Sequence, residues 1–334
     1  MDMKIAFYDT KEYDRIYFDK IAPQYGFDII YYESRLNAST AVLADGCDAI
    51  CIFVSDNADK ETIDKLSEYG IKVILLRCAG YDNVDLKACE EKNITVLRVP
   101  SYSPTAVAEY ASALMLTLNR RIHKAYMRTR EFNFKINGLM GVTLRGRTAG
   151  IIGTGKIGKI MVEILKGYGM EVLANDLYPD ENLDVEYTSL DDLFNRSDVI
   201  TIHCPLTKDT KYLINKNSIS KMKDGVILIN TSRGALVDTD ALIDGLVANK
   251  FRGVALDVYE EEDKYFFEDK SQEIIKDTDL IKLMAYPNVI VTSHQAFFTD
   301  ESMEAIAQVT CDNLKEFEQG LEMKNKVSEE YTKK

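Results

Sequence analysis

Thr148-Ala149-Gly150-Ile151-Ile152 runs directly into Gly153-Thr154-Gly155-Lys156-Ile157-Gly158. This is a short β-type run ending in G-x-G-x-x-G. A helix is expected over 159–168 with Gly169 as its C-cap, and a second apolar strand over 172–175 ends at Asp176. Strand, glycine turn, helix, strand and acid in that order is the context a dinucleotide fingerprint requires. Gly153 permits a tight turn, Gly155 lets the backbone approach a pyrophosphate, and Gly158 lets helix and strand pack closely. Free N–H groups at the helix start favour phosphate. Asp176 is placed to accept ribose hydroxyls and to repel a 2′-phosphate, and no arginine follows in Leu177-Tyr178-Pro179, so NAD is expected over NADP.

Downstream the α/β pattern continues. Strands are expected over 199–204, 226–230, 253–257 and 289–292, with helices over 190–195, 216–221 and 238–248, giving six strands and a full doubly wound domain. Upstream, strands over 4–8, 28–32, 49–54, 73–76 and 95–99 alternate with helices over 10–24, 39–43 and 60–69, which implies a second parallel sheet. This first unit has no glycine fingerprint after its first strand. Ser103 and Pro104 start a long apolar helix over 105–121, expected to bridge domains or bury a face in a dimer. The final helix, over 300–320, lies after all the strands and is expected to return to the first unit; the charged tail 322–334 is expected to fray.

The chain has 334 residues, a length for two domains. Its formal charge of −13 argues against nucleic acid or an anionic membrane as the main partner. The six cysteines (47, 51, 78, 89, 204, 311) form no C-x-x-C pair and read as buried hydrophobes of a reduced protein. No signal peptide or membrane-length apolar run is evident, so a cytoplasmic protein is expected. There is no H-E-x-x-H, Cys/His cluster or EF-hand, and no metal is expected.

Ligands of such sheets bind beyond the carboxyl ends of the strands. The polar residues there include Arg77, Tyr102, Asp176, His203, Thr231, Ser232, Arg233, Asp257, Glu262 and His294. Arg233 can grip a carboxylate bidentately; the bland alternative is a surface arginine paired with a local acid. His294, one of three histidines, suits proton exchange with an alcohol or ketone oxygen. His203, followed by Pro205, reads as part of a cofactor-lining turn, and His123, at a helix end where a cation suits the dipole, as structural. Most carboxylates of the run Glu260–Asp263 belong to a solvated loop, but one, Glu262, can hydrogen-bond His294.

Taken together, these motifs resemble the D-isomer-specific 2-hydroxyacid dehydrogenases, and within them the D-lactate dehydrogenase branch. The resemblance covers residues 4–320 and rests on six stretches. They are Arg77-Cys78-Ala79-Gly80-Tyr81-Asp82-Asn83-Val84-Asp85, the run from Val99 through Tyr102 to Glu109, the glycine fingerprint, Asn230-Thr231-Ser232-Arg233-Gly234, the run from Leu256 to Glu262, and the run from Ser293-His294 to Thr299. It implies a flavodoxin-like substrate domain, 1–101 and 300–334, with an inserted Rossmann NAD-binding domain, 102–299, which closes over the substrate to exclude water. It implies that Arg233 binds the substrate carboxylate, that Glu262 pairs with His294, and that His294 donates the proton. The backbone amides of Ala79 and Gly80 would hold the carboxylate, and Tyr102 would line the pocket. Lys156, Ile157, Asp176, Cys204, Pro205, Thr210, Thr231, Ser232 and Asp257 would contact NAD. Phe53 matches a position where the family places a bulky aromatic in enzymes of short substrates, and Phe298 adds bulk, which favours pyruvate over branched 2-keto acids; the bland reading of Phe53 is core. A D-2-hydroxyisocaproate-type or broad 2-keto acid reductase, and an NAD(H)-sensing protein of the same fold, are the competing readings. A homodimer is expected through 105–121 and 133–146.

Overall fold

The computed structural model describes residues 3–328, which divide into two units. The first holds the described residues up to Ser103 and those from Phe298 on. Its strands are β1 (Met3–Phe7), β2 (Phe27–Tyr31), β3 (Ala49–Ile52), β4 (Val73–Leu76) and β5 (Thr95–Arg98). They pair in parallel in the order β5-β4-β3-β1-β2, the flavodoxin-like order. Every residue of β3 and β4 is buried, as expected of strands covered on both faces. The helices are α1 (Glu12–Tyr25), α2 (Lys60–Glu68) and α3 (Leu86–Glu91). Asp59 caps α2 through Thr62 N, and Gly26, at φ 74°, ends α1; only glycine adopts that conformation without strain.

The C-terminal helix (Asp300–Glu318) packs along α1 in this unit, capped at Thr299 through Ser302 N. Three expectations need correction. The helix expected over 39–43 is a single 3₁₀ turn, Ala41–Ala44, because Asn37 and Thr40 fold the preceding chain with side chain-to-backbone bonds that compete with a helix. Residue 86 opens a helix, α3, that short spacing had hidden. The tail is not frayed throughout: Lys326–Val327 pairs antiparallel with β5, and residues 329–334 lie outside the described part.

The second unit, Pro104–Phe297, has a sheet of seven parallel strands: β6 (Thr148–Ile152), β7 (Glu171–Asn175), β8 (Glu186–Tyr187), β9 (Val199–Ile202), β10 (Val226–Asn230), β11 (Phe251–Leu256) and β12 (Val289–Val291). The order is β8-β7-β6-β9-β10-β11-β12, and the direction of winding reverses between β6 and β9, where a dinucleotide binds in such sheets. The seventh strand, β8, is two residues long, too short for a pattern to reveal. The helices are α4 (Pro104–Arg120), α5 (Ile122–Arg130), α6 (Lys156–Gly167), α7 (Leu190–Arg196), α8 (Lys216–Lys221), α9 (Thr239–Val247) and α10 (Thr278–Ala285). The apolar face of α4 (Ala108, Ala111, Leu114, Met115, Leu118) is buried against α6, β10 and β11 of its own unit, so that face is not available to a second chain. The helix ends at Arg120 because Arg121 takes φ 53°. The short α5 that follows buries none of its residues. Arg121 and Lys124 therefore sit at a helix start, not a helix end, and His123 is held below the ordinary imidazole range by burial and these two neighbours, contrary to a cationic role.

Candidate active site

The glycine turn has the geometry its spacing predicts. Gly153 lies at φ 93°, and a Cβ there would come within 2.7 Å of the His203–Cys204 backbone. A Cβ on Gly158 would sit 2.0 Å from Gly153 O, whereas one on Gly155 would meet nothing within 4 Å. The first packs strand on strand, the second packs helix on turn, and the third leaves space above the start of α6. No side chain caps that helix start, so its N–H groups remain available to an anion; Gly155 and Lys156 are exposed there and Ile157 is half-buried.

Asp176 follows β7. One carboxylate oxygen accepts from Thr154 N at 2.5 Å and Thr154 Oγ1 at 3.0 Å, and the other from Tyr178 N at 2.8 Å. These donors hold its carboxyl below the usual range despite the opposing pull of partial burial, so it is an anion that repels a second one. Beyond β9, Thr210 Oγ1 donates to Pro205 O at 2.7 Å and folds the turn that follows Cys204. Ser232 Oγ donates to Cys204 O at 2.7 Å, linking the ends of β9 and β10. Burial pushes the Cys204 thiol up to about 11, so it lines the turn as a neutral group. Two polar atoms here, Thr231 Oγ1 and His203 Nδ1, are buried without a hydrogen-bond partner. Orphaned groups at the strand ends, an uncapped helix start and an open space over Gly155 together fit a dinucleotide.

The proton-transfer candidates come from β11 and β12. His294 Nδ1 lies 2.7 Å from Glu262 Oε1, and Glu262 Oε2 accepts from Tyr259 N at 2.9 Å. Both side chains are largely buried. His294 has φ 52°, an uncommon conformation for a non-glycine residue. Its turn is held by Asp257, whose backbone oxygen accepts from His294 N at 2.7 Å. The Asp257 carboxylate accepts from Thr292 Oγ1 at 2.6 Å, Gln295 N at 3.0 Å and Ala296 N at 2.8 Å. Asp257 has no exposed surface, and burial raises its carboxyl despite these donors. Its carboxylate thus faces the His294 turn and not solvent, a role that the sequence did not suggest.

Arg233 follows β10. Its Nη1 donates to Ser232 O at 2.7 Å, and it forms no ion pair among the described residues, which sets aside the reading of a surface arginine matched to a local acid. Gly234 beside it abuts Tyr259: a Cβ there would be 2.1 Å from Tyr259 C. The turn that carries Arg233 is therefore packed against the loop that carries Glu262.

In the first unit, the Cys78–Gly80 turn follows β4. Arg98 Nη1 donates to Ala79 O at 2.8 Å, and Val99 N to Cys78 O at 3.1 Å. The carbonyls are thus engaged, while the amides of Ala79 and Gly80 donate to no described residue. Adjacent free amides of this kind suit an anion. Phe53, after β3, is buried, Tyr102 is half-buried, and the half-exposed Phe298 ring meets Tyr13 edge-on at 4.8 Å between centroids.

Residues 112–296 match the family model described as "D-isomer specific 2-hydroxyacid dehydrogenase, NAD binding domain". A 2-hydroxyacid dehydrogenase homolog of Haemophilus influenzae is 50% identical over 95% of this chain and 97% of its own length. D-lactate dehydrogenase of Escherichia coli is 49% identical over 95% of this chain and 98% of its own. Among solved structures, the pyruvate reductase of Chlamydomonas reinhardtii superposes with a TM-score of 0.92 at 42% identity, over 97% of this chain and 98% of that one. The glycine turn at the β6–β9 reversal, the Glu262–His294 pair and these likenesses lead to one conclusion: the chain belongs to the D-isomer-specific 2-hydroxyacid dehydrogenase family and is an NAD-dependent oxidoreductase.

Proposed function

We propose that the protein is an NAD-dependent D-lactate dehydrogenase that interconverts pyruvate and D-lactate. The observation that carries the chemistry is the His294–Glu262 pair. Glu262 accepts from Nδ1–H, which fixes the tautomer and leaves Nε2 to hold the mobile proton. The guanidinium of Arg233 meets the substrate carboxylate with two parallel hydrogen bonds, and the amides of Ala79 and Gly80 supply further donors to it. The nicotinamide, when bound, gives a hydride to C2 of the keto acid or takes it from the hydroxy acid. During reduction His294 Nε2 gives its proton to the carbonyl oxygen as that oxygen gains charge, and the neutral imidazole stays held by Glu262. Gly155 and the start of α6 would hold the cofactor phosphates, Asp176 would hold the adenosine ribose, and Cys204, Pro205, Thr210, Thr231 and Ser232 would supply the remaining contacts. Tyr102 and Phe298 line the substrate, and Phe53 restricts its size.

The same reading makes the protein cytoplasmic, which suits six buried, unpaired cysteines, and a homodimer. No described helix is long and apolar enough to cross a membrane. Steady-state NADH oxidation over a panel of 2-keto acids, with product chirality determined, tests the proposal. Pyruvate as the best substrate and D-lactate as product are expected. A preference for branched keto acids would make it a D-2-hydroxyisocaproate-type enzyme, and no turnover of any keto acid would make it a sensor. Comparable efficiency with NADPH would overturn the role of Asp176.

A further inference from the structure

Arg77, the first residue beyond β4, is a buried cation that no step above uses. It is 3% exposed. Its guanidinium carbon lies 4.5 Å from the centroid of the Phe7 ring and 4.9 Å from that of the Phe53 ring. Nη2 donates to Asp9 O at 2.9 Å, and Nε lies 3.4 Å from Asp14 Oδ1, itself buried. Nη1 is buried and has no hydrogen-bond partner. Leaving a donor of a buried cation unpaired is costly, so a stability role alone explains this arrangement poorly. Two aromatic faces on one guanidinium are attractive to it, and each ring is in turn fixed by the planar cation.

The Phe53 backbone is clamped independently. Its N–H donates to Asp56 Oδ2 at 2.6 Å, and its carbonyl accepts from Asn83 Nδ2 at 2.8 Å. The backbone of Arg77 reaches the same strand, donating to Ile52 O at 3.1 Å. With the main chain set by Asp56 and Asn83, the ring's contact with Arg77 bears on which way the side chain stands. We infer that Arg77 is a positioning residue that sets the substrate-size preference by fixing the orientation of the Phe53 ring. This rests on the proposed reading of Phe53 as the residue that restricts substrate size.

The test compares kcat/KM for pyruvate with that for 2-ketoisocaproate in wild type, Arg77→Lys, Phe53→Leu and the double variant, with KM for NADH as a control. Lysine keeps the charge beside Asp14 but cannot stack on two rings. Arg77→Lys is expected to lower the pyruvate-to-ketoisocaproate ratio about fivefold with KM for NADH unchanged, and to change the ratio no further in the Phe53→Leu background. Equal losses on both substrates, or the same shift in both backgrounds, would overturn the inference. If Phe53→Leu moves the ratio and Arg77→Lys does not, the inference falls while the reading of Phe53 stands; if Phe53→Leu does nothing, both fall. Should Arg77→Lys fold poorly, Phe7→Leu removes one face of the sandwich without touching charge. It must move the ratio in the same direction, and no movement would count against the inference.

Discussion

His294 and His203 share a residue type and differ in what surrounds them. His294 has a carboxylate on Nδ1 and sits in a left-handed turn braced by Asp257. Removing its imidazole takes away the proposed proton donor, so His294→Ala is expected to lower kcat by about 10²–10⁴ while NADH still binds. Fluorescence titration of NADH beside steady-state kinetics checks this, and full activity would remove His294 from the mechanism. His203 instead has Thr201 Oγ1 at 2.8 Å on Nε2 and nothing on its buried Nδ1, and burial pushes its imidazole down to about 4. The unfolded chain takes up that proton near pH 6.5 and the folded chain only near 4. Folding stability is therefore complete above about pH 7 and lost as pH falls through this window, by about 2 kcal/mol at pH 5. Asp56 acts in the opposite sense: burial lifts its carboxyl to about 6, so its penalty is present above pH 6 and eases below. Only a comparison of variants isolates His203. The unfolding free energy of His203→Gln, measured by denaturant titration, should gain about 2 kcal/mol on wild type between pH 7.5 and 5; parallel pH curves would refute the assignment.

Among the elements, β6, the glycine turn and α6 were readable because every requirement is local. The glycine spacing, the apolar run before it and the acid after it fall within 30 residues; Gly153 and Gly158 each answer a close backbone approach, and Gly155 leaves open space. Gly158→Ala places a Cβ 2.0 Å from Gly153 O. Overpacking of this kind should cost about 1–3 kcal/mol in stability and weaken NADH binding as the turn shifts. Gly155→Ala meets no protein atom within 4 Å, so it should leave the melting temperature unchanged and still weaken NADH binding, because the methyl group enters the space for the phosphates. A scan of melting temperature beside NADH titration separates the two, and equal effects of both substitutions would contradict the roles given to them. What escaped the sequence is what depends on distant partners. Asp257 collects donors from 35, 38 and 39 residues downstream, and no window of periodicity contains them. Arg77 was visible as part of a motif, but its partners Phe7, Asp14 and Phe53 come from other strands and helices. The 3₁₀ turn at Ala41–Ala44 and the two-residue β8 failed for a different reason: they are shorter than any repeat that could mark them.

At the scale of the whole molecule, charge and apolar surface are unevenly spread. Residues 120–147 carry eight Lys or Arg and one Glu, in a chain of net charge −13. Arg121 and Lys124 are both held below their usual range by burial and by neighbouring cations, so this segment repels itself electrostatically. It also exposes Ile122, Tyr126, Met127, Phe132, Phe134, Ile136 and Met140, the last four at 72–86%. Seven exposed apolar side chains within so short a stretch mark an interaction surface, and the cations among them match the acidic remainder of a second copy. The homodimer contact is therefore expected on α5 and the residues after it, not on α4, whose apolar face is already buried. Phe134→Asp combined with Ile136→Asp places two charges within that contact, at positions that touch no core. Analytical ultracentrifugation should show wild type at twice the mass of the chain and the double variant at the mass of one chain, with an unchanged far-UV spectrum. An undiminished dimer in the variant would place the contact elsewhere, and a wild-type monomer would leave this patch without the partner proposed for it.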